Sequence, residues 1–505
     1  MTISNPSLAM RFATWAAALA ALAPAMCRAD VTYTEVEGDD RLTIIRMTVT
    51  PAAEPVPAFR HRLLTPDVDL KPGNAVPYYY RALLDVSRVY KANRDEFGEP
   101  FDTWYTTGVD ATPLAALPLD PVRRVVQSIR SGTLDQLAEA TSRRQCHWEL
   151  GFEEVRGPEI LQFLLPEVQE CRNMSRYLSL VTRLALAERR YDNAIGTMRM
   201  NYRLARDTAS VPFLVGGLVG IAIGSMTNGT LIELMAAPDS PNMYWALAEL
   251  PQPLVDMRPA ARFELTFVPR IFPFIVAAES TDHSAEEWNR LYKEAVRNMA
   301  MFDGGRSGES TLQQEMAAVG LALAGYSHAK EWLVEHGMDR QRVEQMAVGQ
   351  VLAVYTERNY RLFADDQEKL WYMPFWEMRR WSHEVEARLE SADPNRGGPD
   401  REVLPVASLL LPAMRQVRTA QVRIQRDTAA LQVIEALRMY AAGHGGRLPA
   451  VLEAISEVPL PLNPATGRPF LYRLDGDTAI LDLPASEGFP SYSRRFEIRI
   501  AEAEQ

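Results

Sequence analysis

The chain has 505 residues, too many for one hydrophobic core, so two or three domains are expected. Apolar residues at 47% and charged residues at 24% are globular values, which exclude a disordered tail, a collagen-like rod and a polytopic membrane protein. A net charge of −11 argues against a general nucleic-acid binder, and three cysteines exclude a disulfide scaffold or a cysteine-only zinc module.

Residues 1–29 read as a secretory signal peptide. Arg11 supplies the positive start, Phe12 to Leu22 the apolar stretch, and the small residue Ala29 a cleavage position. An exported chain is expected in the periplasm or at the cell envelope, with no transmembrane helix in its mature part. Val31–Val36 and Leu42–Val49 are rich in β-branched residues and flank a Gly-Asp turn, so they predict a β-hairpin. The proline-rich stretch from Pro51 to Pro57 predicts an extended connector.

From Pro77 the apolar period becomes helical. Tyr78, Ala82, Leu83, Val86 and Val89 form one stripe, with Asn74 as a capping side chain. Asp120-Pro121 reads as a helix start, a capping carboxylate before a first-turn proline. Helices are predicted over 133–143, 158–189, 191–208 and 211–235. In the last of these Gly216, Gly220 and Gly224 share one face, which predicts a close helix–helix contact. Its apolar run suits a buried helix better than a membrane span, because Pro212, Ser225, Thr227 and Asn228 interrupt it. Cys146 and Cys171 could pair, and a disulfide between them would add ~3–4 kcal/mol on the chain-entropy model; two separate thiols are the alternative.

Residues 303–310 form a glycine-rich loop, followed by helices over 311–336, 339–370 and 374–391. Residues 391–402 read as a linker. One long helix, 405–442, then ends at Gly443-His444-Gly445-Gly446. Phe470–Leu474 and Thr478–Leu481 around Asp475-Gly476-Asp477 predict a second hairpin. The expected fold is mainly α: a helical-hairpin, repeat-like domain over 77–390 stacked into a curved surface, an N-terminal β segment over 30–76, and a small α+β module over 403–505.

Three resemblances bear on this reading. Leu178, Tyr191, Ala194 and Met198 fall at the spacing of a tetratricopeptide hairpin, although Thr182 stands where glycine is usual. Residues 411–483, through Ile434–Pro449, Asn463–Phe470 and Tyr472–Asp477, resemble the globular part of type II secretion pseudopilins. That likeness implies a helix leading into a hairpin. The processed acidic start of a pilin subunit has no counterpart in the chain. The stretches Pro72–Ala82, Cys146–Trp148 and Trp371–Trp376 resemble a family of large exported bacterial helical proteins with no assigned activity.

The sequence offers little chemistry. Seven histidines form no His-Glu-x-x-His pattern, and there is no nucleophile elbow, phosphate loop or dinucleotide fingerprint, so no cofactor and no metal are expected. Three features could bind a partner. The first is the aromatic set Trp371, Tyr372, Phe375, Trp376 and Trp381. The second is Arg415, Arg418, Arg423 and Arg426, which fall on one helix face. The third is Asp475 with Asp477, read foremost as a turn. Clustered aromatics more often form a core, and the arginine face reads foremost as solvated or paired with acids. The expected function is an exported, non-catalytic scaffold or binding protein of the envelope, with a protein or envelope component as partner and no nucleic acid. The alternatives are an exported hydrolase with a carboxylate-based site and a pilus-like assembly component.

Overall fold

The computed structural model describes residues 31–36, 41–129, 131–151, 165–278, 283–300, 311–393, 398–411, 413–485 and 492–501. The signal segment, the 303–310 loop and part of the 391–402 linker lie outside the described residues. The fold is mainly α, about 62% helical. The longer helices are α1 (Val76–Phe97), α2 (Pro166–Ala187), α3 (Tyr191–Thr208), α4 (Leu214–Ala236), α5 (Ala285–Ala300), α6 (Thr311–Glu335), α7 (Val348–Lys369), α8 (Phe375–Ser391) and α9 (Ala413–Gly443). The strands are β1 (Val31–Val36), β2 (Leu42–Val49), β3 (Lys71–Asn74), β4 (Arg143–Gln145), β5 (Leu471–Asp475), β6 (Thr478–Leu483) and β7 (Ser493–Ile500).

Both hairpins form where the β-branched alternation places them, and they belong to one sheet. Its order is β1-β2-β7-β6-β5, and β2 pairs in parallel with β7. Register aligns Ile45 with Phe496 and Leu481, and Met47 with Ile498 and Ala479, so the buried face carries continuous apolar rows across three strands. The opposite face carries ions, among them Arg46–Glu497 at 2.8 Å and Arg495–Asp482 at 2.6 Å.

One contiguous apolar core runs from this sheet through α3, α4, α7 and α9. A second cluster joins Tyr79, Ala82, Val86 and Val89 of α1 to Cys171, Met174 and Leu178 of α2. Leu178, Ala194 and Met198 are fully buried in the α2–α3 hairpin. Asn74 Oδ1 accepts the Val76 N–H, which anchors the start of α1. The 119–128 helix begins two residues before the predicted start, at Leu119 rather than Pro121. Pro118 precedes it, and Asp120 lies in its first turn, bound to Arg123 at 2.8 Å rather than capping.

Helix α4 is long and apolar enough to cross a membrane by length and composition, and 72% of its most apolar window is buried inside the protein. Its glycines admit the end of α3: a Cβ on Gly220 would stand 2.5 Å from the Ala205 carbonyl oxygen. The predicted 405–442 helix is two helices, Val406–Leu410 and α9. α9 ends at Gly443, and Gly445 and Gly446 follow at positive φ. Near that end Arg438 and Glu435 form a fully buried ion pair at 3.0 Å. Arg438 also donates to the carbonyls of Thr50 and Ser240, which clamps the N-terminal connector onto α9.

Candidate functional site

The predicted 339–370 helix breaks at 346–347, so α7 starts at Val348 and its apolar stripe runs Tyr360, Phe363, Ala364, Gln367 and, past the helix end, Trp371. A 3-10 turn (Leu370–Tyr372) then delivers the chain to Pro374, which starts α8. On α8 the residues Met378, Ser382, Glu386 and Leu389 recur at helical spacing and face the beginning of α9. Between them lies a cavity of about 200 Å³. Its walls include Leu370, Trp371, Met378, Leu389, Leu411 and Met414, and its polar lining is Gln367, Ser382, Glu386, Glu390, Arg415 and Arg418.

The cavity unites parts of two predicted features. Trp371, 4% exposed, is a wall, and the Arg418 guanidinium lies over its ring at 5.5 Å. Arg418 Nη2 donates to the Met373 carbonyl at 3.1 Å, and its buried Nε–H has no acceptor among the described residues. Burial, then the charge of Arg258, pulls the Arg418 pKa below its ordinary value, while Asp256 opposes. Asp256 is itself occupied, since both its oxygens accept from Arg258. Arg415, at the rim, pairs with Glu386 at 2.9 Å. Ser382 Oγ donates to the Arg379 carbonyl at 3.0 Å, and Glu390 has a partner of its own. Gln367 is 7% exposed and makes no side-chain hydrogen bond among the described residues.

The other predicted residues lie elsewhere. Phe375 is buried with Leu370, Met378, Val385 and Val422. Tyr372 is exposed and accepts from Arg262 at 2.5 Å. Trp376 lies against Gly467, and Trp381 faces outward. The arginines do not form one open face. Arg426, 1% exposed, donates to the carbonyls of Pro484 and Tyr492, and Arg423 stands 4.4 Å from the Tyr492 ring, so desolvation and the sheet divide the row. The Asp475–Gly476–Asp477 segment turns β5 into β6. Cys146, just after β4, and Cys171, in α2, are separate thiols, not a disulfide, and both lie against the end of α3. Cys146 Sγ donates to the Asp207 carbonyl, and burial pushes the Cys171 thiol up to about 12. Among the described residues no cluster of three His, Cys, Asp or Glu side chains could hold a metal.

Gln367, Ser382, Glu386 and Met414 were not singled out from the sequence. Gln367 had a signal, a lone polar residue within an apolar helical stripe. The others required knowing which helices meet. No family model, curated protein or solved structure matches the chain.

Proposed function

We propose that the chain is an exported, non-catalytic binding protein of the cell envelope, and that its binding site is the cavity between α7, α8 and α9. One observation carries this reading: a pocket with apolar walls is lined by the Arg418 guanidinium, which forms no ion pair among the described residues, the lining Glu386 being held by Arg415 and the nearby Asp256 by Arg258. Charges drawn out of water are ordinarily paired, because desolvation is expensive, and a half-buried guanidinium without an ion pair that lines a pocket is a candidate ligand contact. The polar groups that could do chemistry are already engaged, Ser382 by a carbonyl and Glu386 by Arg415. The acidic surface charge disfavours nucleic acid, which leaves small molecules and protein or envelope components as partners.

A second reading, a hydrolase, has one observation in its favour. Glu386 and Glu390 line the same pocket one helical turn apart, and glycoside hydrolysis uses a pair of carboxylates. One experiment separates the two. The purified full chain is screened against chromogenic glycosides and esters, alongside Glu386→Gln. The binding reading expects no turnover by either protein. Turnover by the parent that is lost in Glu386→Gln replaces it with the hydrolase.

A further inference from the structure

We infer that the pocket takes an apolar monocarboxylate about the size of one aromatic ring with a short acidic arm, its carboxylate held by Arg418 and Gln367. The inference rests on the binding-site reading above and names its ligand class.

Volume limits the body of the ligand. A dry apolar cavity of about 150 Å³ takes up benzene. The pocket here is about 200 Å³, enough to enclose one ring and a few more atoms, so a nucleotide or a sugar chain would have to extend outside it. Trp371, Met378 and Met414 supply aromatic and thioether surfaces, which suit a ring.

Charge limits the head. Of the two cations lining the pocket, Arg415 is spent on Glu386, whereas Arg418 makes one bond to a neutral carbonyl. The acid nearest in influence, Asp256, is held by Arg258, so that pair cancels and Arg418 keeps an uncompensated charge. The contact with Trp371 offsets this in part. A single free guanidinium matches a monoanion, and a phosphate dianion would need a second cation that the pocket does not offer. Gln367 adds an amide donor on the same lining, buried and without a partner among the described residues. A carboxylate in that corner satisfies both groups, and its ring lies against the apolar wall.

The test is calorimetric titration of the full chain with phenylacetate, its neutral isostere phenylacetamide, acetate and phenyl phosphate. The parent is expected to bind phenylacetate best. Arg418→Met is expected to lose about tenfold or more in phenylacetate affinity, the worth of a charge-assisted hydrogen bond, with phenylacetamide nearly unchanged. Arg418→Lys, which keeps the charge, is expected to recover part of the loss. Leu389→Trp, which fills the cavity, is expected to abolish binding of every probe. The parent's own ranking decides the matter even if Arg418→Met fails to fold. Equal affinity for acid and amide, or a preference for phenyl phosphate, overturns the carboxylate assignment and leaves the binding-site reading standing, provided Leu389→Trp removes that affinity. No binding of any probe by the folded parent overturns the ligand class. If dialysed protein from envelope extracts also retains no small molecule in native mass spectrometry, the binding-site reading falls with it.

Discussion

Gly220→Ala probes a close backbone approach between α3 and α4. The new methyl group would stand 2.5 Å from the Ala205 carbonyl oxygen and 3.1 Å from Ala209 Cβ. The carbonyl cannot swing aside like a side chain tip, because it is helical backbone and already accepts the Ala209 N–H at 3.2 Å. Alanine gains about 1 kcal/mol over glycine in a helix interior. Overpacking of a tight contact costs about 1–3 kcal/mol, and a backbone obstacle places this site toward the upper end. The net expectation is a loss of about 1–2 kcal/mol. Gly320 on α6 is the control, since nothing lies within 4 Å of its added Cβ. Gly320→Ala should therefore keep the helix gain and stabilise by up to about 1 kcal/mol. Urea unfolding followed by far-ultraviolet circular dichroism measures both, as shifts in midpoint rather than extrapolated free energies, because a chain of this length need not unfold in two states. A Gly220→Ala midpoint at or above that of the parent would refute the close α3–α4 contact and the argument built on it.

Two further outcomes concern buried charge. Arg438→Ala should destabilise by about 3–5 kcal/mol, because it strands Glu435, which is fully buried, without its cation. Arg438→Met with Glu435→Leu should recover much of that loss in the same unfolding assay, and an additive double variant would count against the pairing. His328 is held below its ordinary 6.5 first by burial and then by the charge of Arg401. A base whose folded pKa is depressed binds fewer protons folded than unfolded, so its contribution is present above 6.5 and is lost as pH falls through that range. His61, lowered first by burial, acts in the same direction. Midpoints measured across this range should decline on acidification, and His328→Gln, which retains a partner for the Tyr355 hydroxyl, should show a shallower decline.

Local elements were legible where the local pattern is strong. The β-branched runs place β1 and β2, the Asp-Gly-Asp turn places the β5–β6 hairpin, and the Gly443–Gly446 stop ends α9. Asp120 misled because a carboxylate before proline suits a cap and a first-turn ion pair equally well, and only the path of the chain through Pro118 decides between them. The parallel pairing of β2 with β7 has no local signature, since side-chain alternation says which face is buried and nothing about the neighbour. The site was half legible for a similar reason. Trp371 and Arg418 were recognised as separate features, but their meeting depends on a turn at 370–372 and on two helix faces that converge. Arg426 shows the limit of helical-wheel reasoning, because the angle around an axis says nothing about a strand laid across it.

The β2–β7 pairing also orders events in time. Its partners are separated by some 450 positions along the chain, the most non-local strand pairing among the described residues. The hairpin made first therefore emerges with one strand edge that nothing can cover until the last strand arrives. Until then Ile45, Met47 and Val49 lack the neighbours Phe496, Ile498 and Ile500 opposite them in the finished sheet. A chain cut short before residue 493 would keep most of its helices and still present two open strand edges, on β2 and β6, which are ready templates for a second molecule.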